Sequence, residues 1–205
     1  MSSDRRTRLT PEQRRAQLVA AGVAFLADRP LDELTMEVLS ERVGVSRGLL
    51  FHYFGSRQGL HREVVITASA ALLAASAPRP ELAPLERLDD TLGRIVGFVR
   101  DHRGTFYSLV RGVASGDPVV RVEVDRARDE TARWVIDGFI ELGADDTPLL
   151  RVALRSWIRF AEEVLVELAH GTDRPAREIV AFLSRSALGV LAASSQDAAG
   201  VSFER

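Results

Sequence analysis

The chain has 205 residues, of which 46% are hydrophobic, so it is long enough for one compact unit or for a small domain beside a larger one. It contains no Cys, which excludes a disulfide framework and a thiolate metal site. Residues 1–10 are polar and lack the apolar core of a signal peptide, and no apolar run reaches the length of a membrane span. We therefore expect a cytoplasmic protein.

The formal net charge is −2, yet the charged residues are unevenly distributed. Residues 1–62 hold 10 Arg against 7 acidic residues, whereas residues 63–205 hold 17 Arg against 22 acidic residues. Arg5, Arg6 and Arg8 form a short basic tail, which can either reach a DNA backbone or minor groove or remain a solvated chain end. The basic excess near the N-terminus favours a nucleic-acid partner for that part of the chain.

The first predicted helix begins at a capping box. Thr10 and Gln13 have the spacing of a reciprocal cap, and Pro11 stands at the first helical position. The helix is expected to run to about Asp28, because Pro30 cannot continue it. Its apolar face is predicted to hold Leu18, Gly22 and Phe25.

Residues 35–54 predict two short helices joined by a tight turn. Thr35 is a good N-cap for the first helix, and Gly44 can adopt the left-handed conformation that ends it. Ser46 is a good N-cap for the second helix, in which Leu50 and Phe54 are four residues apart and can face a core together. This is the arrangement of a helix-turn-helix DNA-binding unit.

The opposite face of the second helix carries the residues that would meet DNA. Arg47 lies in the first turn, where its planar guanidinium suits the O6 and N7 atoms of guanine, and Gly48 allows the backbone to approach closely. Tyr53 and Arg57 are candidate phosphate contacts, and Ser56 can cap the next helix. The predicted DNA-binding residues are Thr35, Ser46, Arg47, Gly48, Leu49, Phe51, His52, Tyr53 and Arg57. The alternative is a helical hairpin with a basic, solvated face.

The string LTMEVLSERVGVSRGLLFHYFGSRQGL, residues 34–60, resembles the TetR family of bacterial transcriptional regulators. The resemblance covers about Thr10 to Glu63, and residues 48–60 are its most specific part. The family usually has Lys where this chain has Arg57, which keeps the charge. It often has Tyr where this chain has Phe51, so one hydroxyl and one phosphate hydrogen bond are lost here.

The remainder of the chain is predicted to be helical, with no convincing strand alternation. Breaks are expected at Pro78, Pro80 and Pro84, at Gly104, and at Gly116 to Pro118. The predicted helices cover residues 56–77, 84–103, 105–114, 118–143, 148–171 and 175–193, with a loose tail from Ser194. The expected fold is therefore all-α, with a three-helix helix-turn-helix domain followed by a six-helix domain.

The resemblance implies that different parts of the chain bind DNA and bind a ligand. Residues 1–55 would form the DNA-binding domain, helix four at about 56–77 would be the connector, and residues 78–205 would bind a ligand and dimerise. The implied function is a ligand-responsive repressor that binds a palindromic operator in double-stranded DNA as a homodimer. The alternatives are an activator or dual regulator of the same family, and a small-molecule-binding helical protein that does not bind DNA.

A ligand pocket in such a domain would be mostly apolar and would bind an apolar or aromatic effector. Trp157, Phe160 and Glu163 have the spacing of a shared wall on one helix side. The candidate ligand-binding residues are Phe98, Phe106, Tyr107, Arg111, Trp134, Trp157, Phe160 and Glu163. For each of them the alternative is ordinary core packing or ion pairing.

The last two helices carry enough apolar surface to form a four-helix bundle across a dimer, which is the arrangement that the resemblance implies. The candidate interface residues are Val164, Leu168, Phe182, Leu183, Ala187, Val190 and Leu191. The alternative is that these apolar stripes pack within one subunit.

No catalytic constellation stands out. Residues 112–116 are one residue away from a nucleophile elbow and lie between predicted helices rather than after a strand. His61 has no second His four residues later, so it does not begin a zinc-protease motif. We expect no catalytic residues, no metal, no cofactor and no enzymatic activity.

Overall fold

The computed structural model describes residues 9–27, 29–111 and 117–195. The described residues form α-helices, a 3₁₀ turn at Leu31–Glu33 and a π-helical segment at Leu165–His170, with no β-strand among them. The α-helices are α1 Pro11–Phe25, α2 Met36–Val43, α3 Arg47–Phe54, α4 Arg57–Ala75, α5 Pro84–Asp101, α6 Arg103–Val110, α7 Pro118–Glu141, α8 Pro148–Val164 and α9 Ala176–Ser195. The all-α expectation is confirmed, with three short N-terminal helices followed by six more.

Helix starts follow the local rules. The Thr10 hydroxyl accepts from the Gln13 amide at 3.2 Å while the Thr10 amide donates to the Gln13 side chain at 2.9 Å, which is the predicted capping box. α8 also begins at a side-chain cap, because the Thr147 hydroxyl accepts a hydrogen bond from the Leu150 amide. These caps satisfy backbone N–H groups that have no partner within the helix.

Two separate cores divide the chain. The N-terminal core is formed by α1, α2, α3 and the first half of α4, with Leu18, Leu39, Leu50 and Val64 fully buried. The larger core is formed by α5 to α9 and includes Trp157. A smaller cluster on α4, α6 and α7 lies between them. α4 therefore packs in both halves of the molecule.

The break between α5 and α6 lies at a different residue from the predicted one. His102 ends α5, with φ −134° and ψ 51°, and Gly104 lies inside α6. A Cβ on Gly104 would lie 2.4 Å from the Leu26 carbonyl oxygen and 2.8 Å from that of Arg29. Gly104 therefore allows α6 to pack directly on the chain that follows α1, and its amide donates to the Ala27 carbonyl at 3.3 Å.

The structure tests the predicted ends of α8 and α9, whereas other predictions concern residues that it does not describe. α8 continues as the π-helical segment to His170, so the predicted end at Gly171 is confirmed with a change of winding. α9 extends through Ser195, past the predicted loose start at Ser194. The basic tail, Asp28 and residues 112–116 lie outside the described residues.

Candidate DNA-reading surface and ligand cavity

The predicted turn between α2 and α3 is confirmed in its local geometry. The Thr35 hydroxyl accepts from the Val38 amide at 3.1 Å, and the Ser46 hydroxyl accepts from the Leu49 amide at 3.2 Å. Gly44 ends α2 in the left-handed region at φ 71°. Since a side chain is strained at this φ, glycine lets α3 start immediately after the turn.

α3 has one buried face and one exposed face. Leu50 and Phe54 are buried in the N-terminal core, as predicted. The candidate DNA-contacting residues on the rest of the helix are Arg47, Gly48, Phe51 and His52, which are exposed, and Leu49 and Tyr53, which are partly buried. The face therefore combines a cation, aromatic rings and accessible backbone.

Arg47 is held by a residue that the sequence interpretation overlooked. Its Nη2 atom lies 2.5 Å from Oε1 of Glu37, in the first turn of α2. A hydrogen bond from the Glu37 backbone N–H, the positive charge of Arg47 and a hydrogen bond with Thr35 lower the pKa of the Glu37 carboxyl. No helical spacing pairs the two residues, because they lie on different helices.

The Arg57 side chain contacts the end of the 3₁₀ turn. Its Nε donates to the Leu34 carbonyl at 3.3 Å and its Nη2 donates to the Asp32 carbonyl. Nε2 of His61 lies 2.7 Å from the same Leu34 oxygen, and burial lowers the pKa of His61. Arg57 is nevertheless exposed, so the phosphate contact that the sequence predicts for it stays a prediction beside its contacts with the chain that leads into α2.

An apolar cavity of about 100 Å³ lies among α4 to α8. Of the predicted ligand-binding residues, Phe106 and Trp157 line it. The Trp157 indole N–H donates to the Ser186 hydroxyl at 2.8 Å, which fixes the ring orientation. Three residues from the second half of α4, Ser69, Leu72 and Leu73, and its C-cap Ser76 complete one wall.

The other predicted ligand-binding residues are dispersed. Phe98 packs against the His102 ring at 4.6 Å, and Trp134 lines a separate cavity of about 40 Å³. Tyr107 and Arg111 line an open cleft of about 670 Å³ between the 3₁₀ turn, α4, α6 and the start of α7. These four residues therefore do not meet at one site.

The proposed shared wall on α8 is not formed. Phe160 lies on the outside, with its ring centroid 6.1 Å from that of Phe182 on α9. Glu163 is exposed and lies 2.5 Å from Arg111. Only Trp157 of the three points into the core, because a helix turns too far over six residues for both ends to share that side.

A partly buried ion pair that the sequence interpretation missed lines the cavity instead. Nε of Arg128 on α7 lies 2.8 Å and 3.0 Å from the two carboxylate oxygens of Glu162 on α8, and Nη1 lies 3.0 Å from Asp125. The side chains of Arg128 and Glu162 are only 16% and 18% exposed. Burial opposes the charge of Arg128, but the two carboxylates outweigh it and raise its pKa. Because the partners lie 34 residues apart along the chain, no sequence pattern indicated the pair.

α9 has a buried face and an outer face that carries exposed Phe182 and Leu188 together with the charged side chains of Arg177 and Arg185. Leu183 and Ala187 are fully buried against the core of their own subunit, so we remove them from the predicted interface. Val164, Leu168, Val190 and Leu191 are partly buried, and Phe182 is 42% exposed. Of the described helices, only α9 is long and apolar enough to cross a membrane by length and composition, and 17% of its most apolar window is buried.

Among the described residues, no cluster of three His, Cys, Asp or Glu side chains is arranged to hold a metal ion. The arrangement that does stand out is a helix-turn-helix with an exposed second helix, joined through α4 to a helical body with an internal cavity. That arrangement defines the class of helix-turn-helix regulatory proteins.

Comparison with known families agrees with this class. Residues 18–64 match the family described as "Bacterial regulatory proteins, tetR family". Residues 84–190, more than half of the chain, match the family described as "Tetracyclin repressor-like, C-terminal domain". The chain therefore belongs to the tetR family of bacterial regulatory proteins.

Individual relatives are more distant. The "HTH-type transcriptional regulator BetI" of Vibrio campbellii is 31% identical over 98 residues, which are 45% of this chain and 49% of that protein. The "Nucleoid occlusion factor SlmA" of Haemophilus influenzae strain PittGG is 28% identical over 98 residues, 46% of this chain and 45% of that protein. The chain thus aligns with about half the length of these two relatives.

Solved structures align over nearly the whole chain. A tetR-family transcriptional regulator from Streptomyces coelicolor aligns with a TM-score of 0.79 and 26% identity, over 91% of this chain and 84% of that one. A putative transcriptional regulator from Pseudomonas aeruginosa PAO1 aligns with a TM-score of 0.72 and 16% identity, over 96% and 99% of the two chains. The second similarity shows the fold alone.

Proposed function

We propose that this protein is a dimeric transcriptional repressor that binds a palindromic operator and releases it when a small apolar effector occupies the cavity. The observation that carries the proposal is α4, which lines the effector cavity with its second half and packs in the DNA-reading domain with its first half. The proposal includes residues 1–55 as the DNA-binding domain, residues 78–205 as the effector-binding and dimerisation domain, a cytoplasmic location and no enzymatic activity.

α3 is proposed to lie in the major groove, one copy per half-site. Arg47 in its first turn would donate to guanine, while exposed Gly48, Phe51 and His52 would contact the groove and sugar-phosphate backbone. The N-terminal turns of α2 and α3, capped by Thr35 and Ser46, present backbone N–H groups that suit phosphates. Leu49, Tyr53 and Arg57 complete this surface.

The second copy is proposed to pack on the outer face of α8 and α9. Phe160 and Phe182 are each 42% exposed, and Leu188 lies on the outer side of the same pair of helices. Exposed apolar side chains of this kind favour association, because their burial removes apolar area from water. Phe182, Val164, Leu168, Val190 and Leu191 of the interface predicted from the sequence remain in this proposal.

The effector is proposed to be an apolar or aromatic molecule with one polar end. Apolar side chains form most of the cavity wall, while Arg128, Glu162 and the Thr131 hydroxyl supply a polar edge. Because a typical small-molecule pocket is roughly 300–1,000 Å³, a cavity of about 100 Å³ must widen to accept such a ligand. Widening would displace α4 and with it the reading head, so the effector would favour the state that does not bind DNA.

The test is a gel-shift assay of the full-length protein with the DNA upstream of its own gene, followed by selection of binding sites from random DNA. A palindromic selected site, bound by two subunits, is the expected result. Selection of no sequence would reject the DNA-reading function and leave a helical protein that binds only small molecules. Reporter expression that falls when the regulator is absent would indicate an activator.

A further inference from the structure

Arg47 and Glu37 form an ion pair on the proposed DNA-reading surface. Their closest atoms lie 2.5 Å apart, and the two side chains are 58% and 49% exposed. The pair joins the first turn of α2 to the first turn of α3. To contact guanine or a phosphate through the same Nη2 hydrogen, the Arg47 guanidinium must leave Glu37.

Glu37 places a negative charge on a surface that would approach phosphates. Its carboxyl pKa is lowered by a hydrogen bond from its own backbone N–H, by Arg47 and by Thr35, so it is ionised near neutral pH. When Arg47 moves from Glu37 to a phosphate, one anionic partner replaces another, and the exposed carboxylate then repels the DNA backbone. Guanine instead offers two acceptors, O6 and N7, without a formal charge.

We infer that Glu37 is a specificity-determining residue. On random DNA it keeps Arg47 in the ion pair, and in the operator Arg47 leaves the ion pair to contact a guanine. The inference rests on the proposed DNA-binding function. Glu37 weakens binding to all DNA, but it weakens binding to random DNA more, because a phosphate only exchanges one ion pair for another, whereas guanine gives Arg47 two directed hydrogen bonds. The chemical target of the Arg47–Glu37 pair is therefore a G·C base pair in each half-site.

The experiment compares Glu37→Gln with Glu41→Gln in the full chain. Glu41 lies one turn later on α2, is exposed, and makes no ion pair within the part of the chain that the structure describes. Both variants remove one negative charge, but only the first releases Arg47. The probes are the duplex that the wild-type protein selects from random DNA, and poly(dA-dT) as non-cognate DNA, because its base pairs lack the O6 and N7 acceptor pair of guanine.

Glu37→Gln is expected to tighten binding to poly(dA-dT) by about 5- to 10-fold and to the selected duplex by no more than about 2-fold. The salt dependence on poly(dA-dT) should steepen by about 0.9 in log–log slope, since Arg47 then neutralises one more phosphate. Glu41→Gln should shift both probes by similar factors. Equal tightening on both probes by Glu37→Gln, or weaker binding to the selected duplex, would overturn the inference.

A titration without DNA separates this inference from the proposed function. NMR measurement of the Glu37 carboxyl in the free protein should show a higher pKa in Arg47→Ala than in the wild type, because a stabilising positive charge is removed. An unchanged pKa would show that the ion pair is absent in solution and would end the inference. Failure of the wild-type protein to select any DNA would instead reject the DNA-binding function.

Discussion

Arg128→Met is expected to destabilise the protein markedly, because it leaves the Glu162 carboxylate in the cavity wall without its two hydrogen bonds from Nε of Arg128. An exposed ion pair contributes about 0–1 kcal/mol, whereas removing one partner of a fully buried pair costs about 3–5 kcal/mol. With side-chain exposures of 16% and 18%, this pair lies between those limits and nearer the buried one. We therefore expect a loss of about 2–3 kcal/mol in the free energy of unfolding.

The measurement is urea unfolding followed by circular dichroism, at a fixed subunit concentration because dimerisation contributes to stability. A loss of this size should lower Tm by about 5–10 °C in a chain of this length. Arg151→Met is the matched control, since its partner Asp146 forms an exposed pair in which the side chains are 42% and 45% exposed. The control should change the unfolding free energy by less than about 1 kcal/mol.

The double variant Arg128→Met/Glu162→Leu decides the physical cause. Two apolar side chains need no hydration or hydrogen bonds, so the double variant should recover to within about 1 kcal/mol of the wild type. The two substitutions should then be coupled by about 2 kcal/mol. Purely additive losses, or an Arg128→Met variant as stable as the Arg151→Met control, would show that the pair is solvated and does not form a buried edge of the cavity.

Four further outcomes are expected. Arg47→Ala should weaken operator binding by about 1–3 kcal/mol and relax the preference at one base step, measured by fluorescence anisotropy. An unchanged affinity would show that α3 does not lie in the major groove as proposed. Phe182→Glu should give folded monomers in sedimentation, whereas Leu183→Glu should unfold the subunit because Leu183 is fully buried. A Phe182→Glu variant that remains dimeric would show that the interface lies elsewhere. His61 has a pKa lowered by burial below its ordinary 6.5, so the folded state binds the proton less tightly than the unfolded state. Its contribution to stability should be complete above about pH 6.5 and decline as the pH falls, and His61→Gln should flatten that decline in urea unfolding at about pH 5.5 and about pH 7.5. An effector in the cavity should change Trp157 fluorescence over the concentration range that releases operator DNA; release without that change would place the ligand elsewhere.

The sequence by itself predicted features that depend on a few neighbouring residues. Some of these features are helix caps, in which the side chain of Thr10, Thr35 or Ser46 accepts a hydrogen bond from a nearby backbone N–H. Another is Gly44, which adopts the left-handed conformation because it has no Cβ. The burial of Leu50 with its neighbour four residues later follows from helical periodicity. For the same reason the resemblance of residues 34–60 to one family was readable before any tertiary contact was known.

Only the tertiary structure decided where each long side chain finds its partner. Periodicity grouped Phe160 and Glu163 with Trp157, but the packing of α8 against α7 and α9 leaves only the tryptophan inside and brings Glu162 to Arg128. Arg57 was equally able to reach a phosphate by sequence, yet the 3₁₀ turn offers it two backbone carbonyls. Partners such as these lie 23 to 34 residues apart along the chain, so the rotation and approach of whole helices, which local propensity does not specify, select them.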